Sequence, residues 1–436
     1  MRSYDRDEMN NAFQWRVSFK KFKRGICAFK DRPVKILIPA GITAAYFILI
    51  LYLKVKMYST PNILHRLTNA LEIMLLIITF LPVIYFTICA IGSGIKGLFV
   101  DPQMHRTTVR NSIGETPSMV SHRKGDDGKT EVYDFIGEGI PLSDYEDRVA
   151  EIESALNMNV VRIEQGHSKN HVIVTGVGYD HSLPKMLIWD DQYISDKDFE
   201  LVIGENLLGT EKVDLNKLPH ILIGGSTGSG KSVCLKNLIY QSVKKDAQVY
   251  VADFKGGVDY SGKWRSFVNV VTDIDSLIAL LDRILAELAV RKTQLYCSTY
   301  VNIAEYNRNS GIKMKRIIIA CDEVAELLDK TGLDKENKEK VTRVESALST
   351  IARQGRAFGI NLILATQRPD ANILPGQIRN NIDYRICGRA DDVLSKIVLD
   401  NTDASEKIPK YEQGLFLSNT GTLIRAFYFN ESMIKG

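Results

Sequence analysis

No feature of this sequence limits its fold more sharply than two uncharged apolar runs, Ile36–Leu53 (ILIPAGITAAYFILILYL) and Ile73–Ile91. Each is about as long as the ~20-residue helix that spans a bilayer core. In hydrocarbon every peptide group must find its hydrogen bond within the segment, so both runs are expected as transmembrane helices. Pro82 is expected to kink the second. The alternative is a buried helical hairpin of a soluble protein. A cleaved signal peptide is disfavoured, because Lys54 and Lys56 follow the first run directly with no small-residue cleavage pattern.

The flanking charges give an orientation. Arg16, Lys20, Lys21, Lys23, Arg24, Lys30, Arg32 and Lys35 precede the first run, whereas the connector holds only Lys54, Lys56 and Arg66. The positive-inside rule then places both termini in the cytoplasm of a multi-pass protein of the cell (plasma) membrane. The whole chain has an ordinary globular composition, 45% hydrophobic and 25% charged, which excludes a disordered protein. A net charge of +4 does not by itself call for a nucleic-acid partner. The cysteines (Cys27, Cys89, Cys234, Cys297, Cys321 and Cys387) lie far apart. That spacing fits neither a zinc site nor a disulfide framework and suits a reducing compartment.

Five regions follow from these shifts in composition: a basic tail (1–35), two membrane helices with a short outer loop (36–91), a linker (92–137), a small α+β subdomain (138–198) and a motor domain (199–436). The linker reading rests on the polar stretch SHRKGDDGKT. In the subdomain SDYEDRVAEIESAL has helical periodicity with Ser143 as its cap, and Asn159–Arg162 and Val172–Val177 read as strands.

The motor carries a full G-x-x-x-x-G-K-S between a strand-like HILI and a helix-like Val233–Val243. Gly225, Ser226, Thr227, Gly228, Ser229, Gly230, Lys231, Ser232 and Val233 are therefore expected to bind nucleotide. Backbone amides and a helix N-terminus would cradle the phosphates. Lys231 would reach the β- and γ-phosphates of ATP, and Ser232 would hold Mg²⁺. A second apolar strand ends in Asp322-Glu323. Asp322 is expected in the Mg²⁺ shell and Glu323 as the general base on the attacking water. Gln367 ends the strand LILATQ and reads as a γ-phosphate sensor; the alternative is an amide capping a loop. Strands alternating with helices such as Ile274–Arg291 predict a doubly wound, mostly parallel α/β sheet.

The segments HILIGGSTGSGKSV, VYVADFKGGVDY, IIIACDEVAEL and RQGRAFGINLILATQRPDANILPGQIRNNIDYRICGR resemble the FtsK/SpoIIIE family of DNA translocases. The resemblance runs from roughly Phe199 onward, and more faintly from Ile140. It implies a RecA-like P-loop NTPase core, a hexameric ring and DNA in a central channel. By position Arg356 resembles the arginine that reaches a neighbouring subunit's ATP, and Arg368, Arg379 and Lys396 resemble DNA-contacting channel residues. One departure stands out. The family's second trans-acting basic residue falls near Asp392, an acid, with Arg389 the nearest substitute.

Chromosome-partitioning members carry more membrane spans, a long linker and a C-terminal winged-helix module. The resemblance is therefore closer to the short two-span coupling proteins of Gram-positive conjugative plasmids and integrative elements. It implies an ATP-driven translocase handing relaxase-bound single-stranded DNA to a type IV secretion channel, with relaxosome and channel proteins as partners. The alternatives are a duplex-DNA translocase of chromosome or plasmid partitioning, a type VII secretion ATPase (usually with several tandem modules) and a nucleotide-switched membrane receptor for a relaxosome.

Overall fold

The computed structural model describes residues 18–19, 21–23, 25–26, 28–29, 33–59, 61–98, 104–367 and 374–434, the side chains of 92–98 excepted. It divides the chain into two units, Met1–Ser182 and Leu183–Gly436. Cys27 and Arg368, singled out above, lie outside the described residues.

In the first unit, helix α1 (Leu37–Ser59) follows a 3₁₀ turn at Pro33–Ile36, and helix α2 (Ile63–Leu98) contains Pro82. Each extends beyond the apolar run that announced it. Pro33–Ser59 and Ile63–Ile91 are long and apolar enough to cross a membrane. Phe47, Leu51, Leu75 and Ile78 are exposed, leaving the pair an apolar outer surface. Tyr46 donates to Thr79 Oγ1 at 3.4 Å, and Thr79 returns its proton to the Leu75 carbonyl at 2.9 Å, so the polar groups are satisfied within the pair.

The segment read as a linker is not one throughout. Strands β1 (Ser118–Lys124) and β2 (Thr130–Ile136) form an antiparallel hairpin. The charged stretch that suggested a loop is the hairpin's tip. Asp127 Oδ1 accepts from the amides of Lys129 and Thr130, both at 2.9 Å, and fixes the turn. After β2 come two helices rather than one, α3 (Leu142–Glu146) and α4 (Val149–Leu156). Ser143 sits inside α3 instead of capping it, because the N-cap is Pro141. Strands β3 (Met158–Gln165) and β4 (His171–Gly178) complete an antiparallel sheet of order β1-β2-β4-β3. Phe135, Tyr145, Ile152 and Val174 close a core between this sheet and the helices.

The second unit begins before the expected boundary at 199. Strand β5 (Leu187–Ile188) already pairs within it, followed by the hairpin β6 (Glu200–Asn206) and β7 (Gly209–Asp214). Then come β8 (Ile221–Gly224), α5 (Lys231–Lys244), β9 (Gln248–Ala252), β10 (Asn269–Val271), α6 (Ile274–Tyr296), α7 (Ile303–Asn309) and β11 (Ile317–Cys321). Helices α8 (Val324–Leu328) and α9 (Lys335–Gln354) lead to β12 (Ile360–Thr366), α10 (Gly376–Arg379) and β13 (Tyr384–Cys387). The rest is α11 (Asp392–Leu399), α12 (Asp403–Lys407), β14 (Leu415–Ser418) and β15 (Leu423–Tyr428).

Strands β10-β9-β11-β12-β8-β13 run parallel in that order, and β14, β15, β6 and β7 extend the sheet antiparallel. Every residue of β11 and β12 is buried. A parallel strand covered on both faces favours a near-continuous apolar run, which explains IIIAC in β11. Ile317 and Ile319 pack with Leu277, Leu281 and Leu348 of α6 and α9, whereas Ile318 and Ala320 pack with Leu235 and Leu238 of α5. This is the expected RecA-like, doubly wound core.

Candidate nucleotide-binding and hydrolysis site

Register brings the carboxyl ends of five parallel strands to one edge. Gly224 of β8 lies beside Thr366 of β12 and Cys387 of β13. Leu364 of β12 lies beside Cys321 of β11, and Cys321 beside Ala252 of β9. The Gly225–Gly230 loop, Asp322-Glu323, Gln367 and Arg389 therefore all leave the sheet at the edge where α/β proteins hold ligands.

The loop Gly225–Gly230 joins β8 to α5, whose first residues are Lys231, Ser232 and Val233. Gly230 is the N-cap with φ of +97°, and a Cβ there would sit 3.0 Å from the Gly414 amide nitrogen. Glycine is thus required twice, by the left-handed backbone and by the close approach of a second chain segment. The loop is braced from outside. The Ser226 amide donates to the Arg389 carbonyl at 2.7 Å, and the Gly414 amide donates to the Ser229 carbonyl at 2.8 Å. The first-turn amides of α5, without intrahelical acceptors, are left for an anion.

Asp322 and Glu323 follow β11 directly. Ser232 Oγ donates to Asp322 Oδ1 at 2.8 Å, and Lys231 Nζ donates to the Asp322 carbonyl at 2.7 Å. Burial by itself would raise the Asp322 carboxyl, but the Lys231 ammonium, the Ser232 hydroxyl and the Lys255 ammonium together hold it below the usual range. A hydroxyl and an ionised carboxylate side by side form the hard-oxygen donor set that Mg²⁺ takes. Ser232 and Asp322 would hold the ion. Glu323, only 7% exposed, accepts from Thr366 Oγ1 at 2.9 Å and from the Gln367 amide at 3.0 Å. Gln367 Oε1 in turn accepts from Thr227 Oγ1 at 3.2 Å, so the proposed base, the proposed sensor and the phosphate loop form one hydrogen-bonded chain. Burial pushes the Cys321 thiol up to about 12, so it is an inert core residue.

Beside Gly230 and Val233 opens a cavity of about 280 Å³, walled by Met186, Leu187, Gln413 and Phe427 among others. Arg425 fastens this wall, donating to the Gln413 carbonyl at 2.6 Å and to Glu412 Oε2 at 2.9 Å.

A family model described as the FtsK/SpoIIIE family matches residues 195–318. The solved monomer of the pCW3 conjugation coupling protein TcpA with ATPgS is 39% identical, with a TM-score of 0.57, and the match covers 76% of this chain and 95% of that one. The chain belongs to the FtsK/SpoIIIE family. It is a P-loop ATPase of that family by its motifs and its site. Curated proteins named DNA translocase FtsK are also similar. That of Staphylococcus aureus (strain Mu50 / ATCC 700699) is 30% identical over 250 residues, covering 53% of this chain and 30% of that protein. That of Leptospira interrogans is 33% identical over 261 residues, covering 55% and 26%. The chain thus spans less than a third of the length of these curated relatives.

The remaining residues matched to FtsK/SpoIIIE positions are placed unevenly. Arg356 precedes β12, at the amino edge of the sheet. With ~3.3 Å per strand residue, β12 alone separates it from the phosphate loop by roughly 20 Å. It cannot serve its own chain's nucleotide. It donates to the Asn216 carbonyl at 3.3 Å and lines a polar cavity of about 670 Å³ together with Arg308 of α7, a residue the motifs gave no reason to notice. Arg389, considered as a trans-acting substitute, is bonded within its own chain. It donates to the Thr227 carbonyl at 2.5 Å and to the Lys410 carbonyl at 2.7 Å. Asp392 accepts from Ser405 at 2.6 Å. Arg379 is folded back on the Ile397 carbonyl at 3.3 Å and on Asp400 at 3.7 Å, whereas Lys396 projects from α11 exposed. Sequence reasoning also missed Thr366 and Lys255; the latter stands in the quoted segment VYVADFKGGVDY.

Proposed function

We propose that this chain is a membrane-anchored motor that couples ATP hydrolysis to the movement of DNA, and that its cargo is the relaxase-bound single strand passed to a type IV secretion channel during conjugation. The observation that carries this reading is the 39% identity to a conjugation coupling protein across 95% of that protein's chain. The two apolar helices α1 and α2 are the anchor, with both termini in the cytoplasm, where ATP is.

Lys231 and the amides of the Gly225–Gly230 loop hold the phosphates, and the cavity beside Val233 takes the nucleoside. Mg²⁺ on Ser232 and Asp322 supplies electrostatic neutralisation of the phosphate charge. Glu323, fixed by Thr366 and the Gln367 amide, takes the proton of the attacking water, and Gln367 reports the γ-phosphate to the loop. Since Arg356 sits on the far edge of the sheet, its charge in this reading completes a neighbour's site within a hexameric ring. The exposed Lys396, and Arg368 by its resemblance to a channel residue, track the nucleic-acid backbone, giving affinity without sequence choice.

The test is ATP turnover by the full chain in detergent or nanodiscs, with no DNA, single-stranded DNA and duplex DNA at matched ionic strength. Single strands should stimulate most. Stimulation by duplex alone would favour the second reading, a duplex translocase, which the similarity to proteins named DNA translocase FtsK supports. Turnover indifferent to both would refute transport of DNA.

A further inference from the structure

Asp322 has one more partner than nucleotide chemistry asks of it. Its Oδ1 is engaged by Ser232 and, at 3.4 Å, by Lys231. Its other oxygen, Oδ2, meets the ammonium of Lys255 at 3.4 Å. Lys255 belongs to the turn after β9, the strand beside β11, where Ala252 lies opposite Cys321. Asp253 and Asp322 therefore leave the sheet as neighbours. Asp253 Oδ1 accepts the Lys255 amide at 3.0 Å, which fixes the main chain while the side chain reaches across to Asp322. Gly256 and Gly257 follow with φ of +84° and +71°, and two left-handed residues in succession let the chain reverse immediately after the lysine.

The burial of the two partners differs in a telling way. The Asp322 side chain is 6% exposed and the Lys255 side chain 43%. A buried carboxylate needs a compensating charge, whereas a lysine at the rim can leave for water at little cost.

We propose that Lys255 competes with Mg²⁺ for Asp322: ammonium and metal ion are alternative cations on the same carboxylate, and metal-dependent nucleotide binding must move Lys255 off it. This rests on the reading of the site as one for Mg²⁺ and ATP. The lysine then raises the Mg²⁺ concentration at which nucleotide is held, which keeps Asp322 neutralised in either condition.

The experiment measures binding of a fluorescent non-hydrolysable ATP analogue to the full chain in detergent, at saturating Mg²⁺ and in EDTA. The readout is the ratio of the two affinities. Lys255→Met, which keeps the stem and removes the charge, should raise that ratio about three- to five-fold, the scale of a half-exposed ion pair. Lys255→Arg should keep the wild-type ratio. Lys236→Met removes the same charge from α5, where the ammonium is paired with Glu431, and should leave the ratio unchanged. An unchanged or lowered ratio in Lys255→Met, or an equal rise in Lys236→Met, overturns the proposal. Failure of the wild-type chain to bind the analogue at all would instead overturn the reading of the site.

Discussion

His220, immediately before β8, has no solvent exposure. Its Nδ1 accepts from the Leu362 amide at 2.9 Å and its Nε2–H donates to the Ala352 carbonyl at 3.0 Å, so the neutral ring joins β12 and α9 beneath the phosphate-loop strand. Burial pushes its pKa down from 6.5 to about 4 despite the bond to Ala352. A second proton would have to go on Nδ1, against the Leu362 N–H. As pH falls, the unfolded chain takes up this proton first. The contribution is therefore intact above pH 6.5, declines from there, and is fully lost near pH 4. At 1.36 kcal/mol per unit, the whole shift is worth about 3 kcal/mol, of which about 2 kcal/mol is gone by pH 5. Urea unfolding followed by tryptophan fluorescence reports the second unit, because Trp189 and Trp264 are buried there. His220→Gln lowers stability at both pH values, but the loss between pH 7 and pH 5 should shrink by about 2 kcal/mol. Equal losses in the two proteins would refute the argument, since carboxylates such as Asp322, already held low, titrate below that window.

Three further outcomes are expected. Lys231→Ala should abolish nucleotide binding, whereas Glu323→Gln should bind normally and turn over at least about 10²-fold more slowly, measured as steady-state phosphate release. Arg356→Ala should cost about 10³–10⁵ in turnover at unchanged nucleotide affinity. Mixing it with Lys231→Ala subunits should restore activity, because each supplies what the other's interface lacks; no rescue would place Arg356 outside catalysis. Lys396→Ala should weaken DNA binding and reduce its salt slope by about 1, and Arg379→Ala should change neither, since its guanidinium is already engaged within the chain.

What the sequence reveals follows from how local each signal is. The strand β11, the phosphate loop and the face Leu277–Leu281–Leu288 of α6 are written in consecutive or helically spaced residues, and each is where pattern alone puts it. The hairpin β1–β2 was hidden because its turn, Gly125–Gly128, is as polar as any linker, while its pairing partner β4 comes far later in the chain. The break between α3 and α4 was hidden by an apolar spacing that continues across it. The intrachain bonds of Arg389 and the partner of Lys255 lie beyond sequence reasoning for the same reason. They involve Thr227 and Asp322, which are neighbours only after the strands have taken their order.

The phosphate cradle has a consequence for biogenesis. Its walls are the Arg389 carbonyl and the Gly414 amide, hydrogen-bonded to a loop translated long before either. A nascent chain whose apolar helices have already emerged from the ribosome therefore has no finished pocket until Gly414 follows. A molecule cut short of Gly414 would lack the hydrogen bond that braces the Ser229 carbonyl from outside.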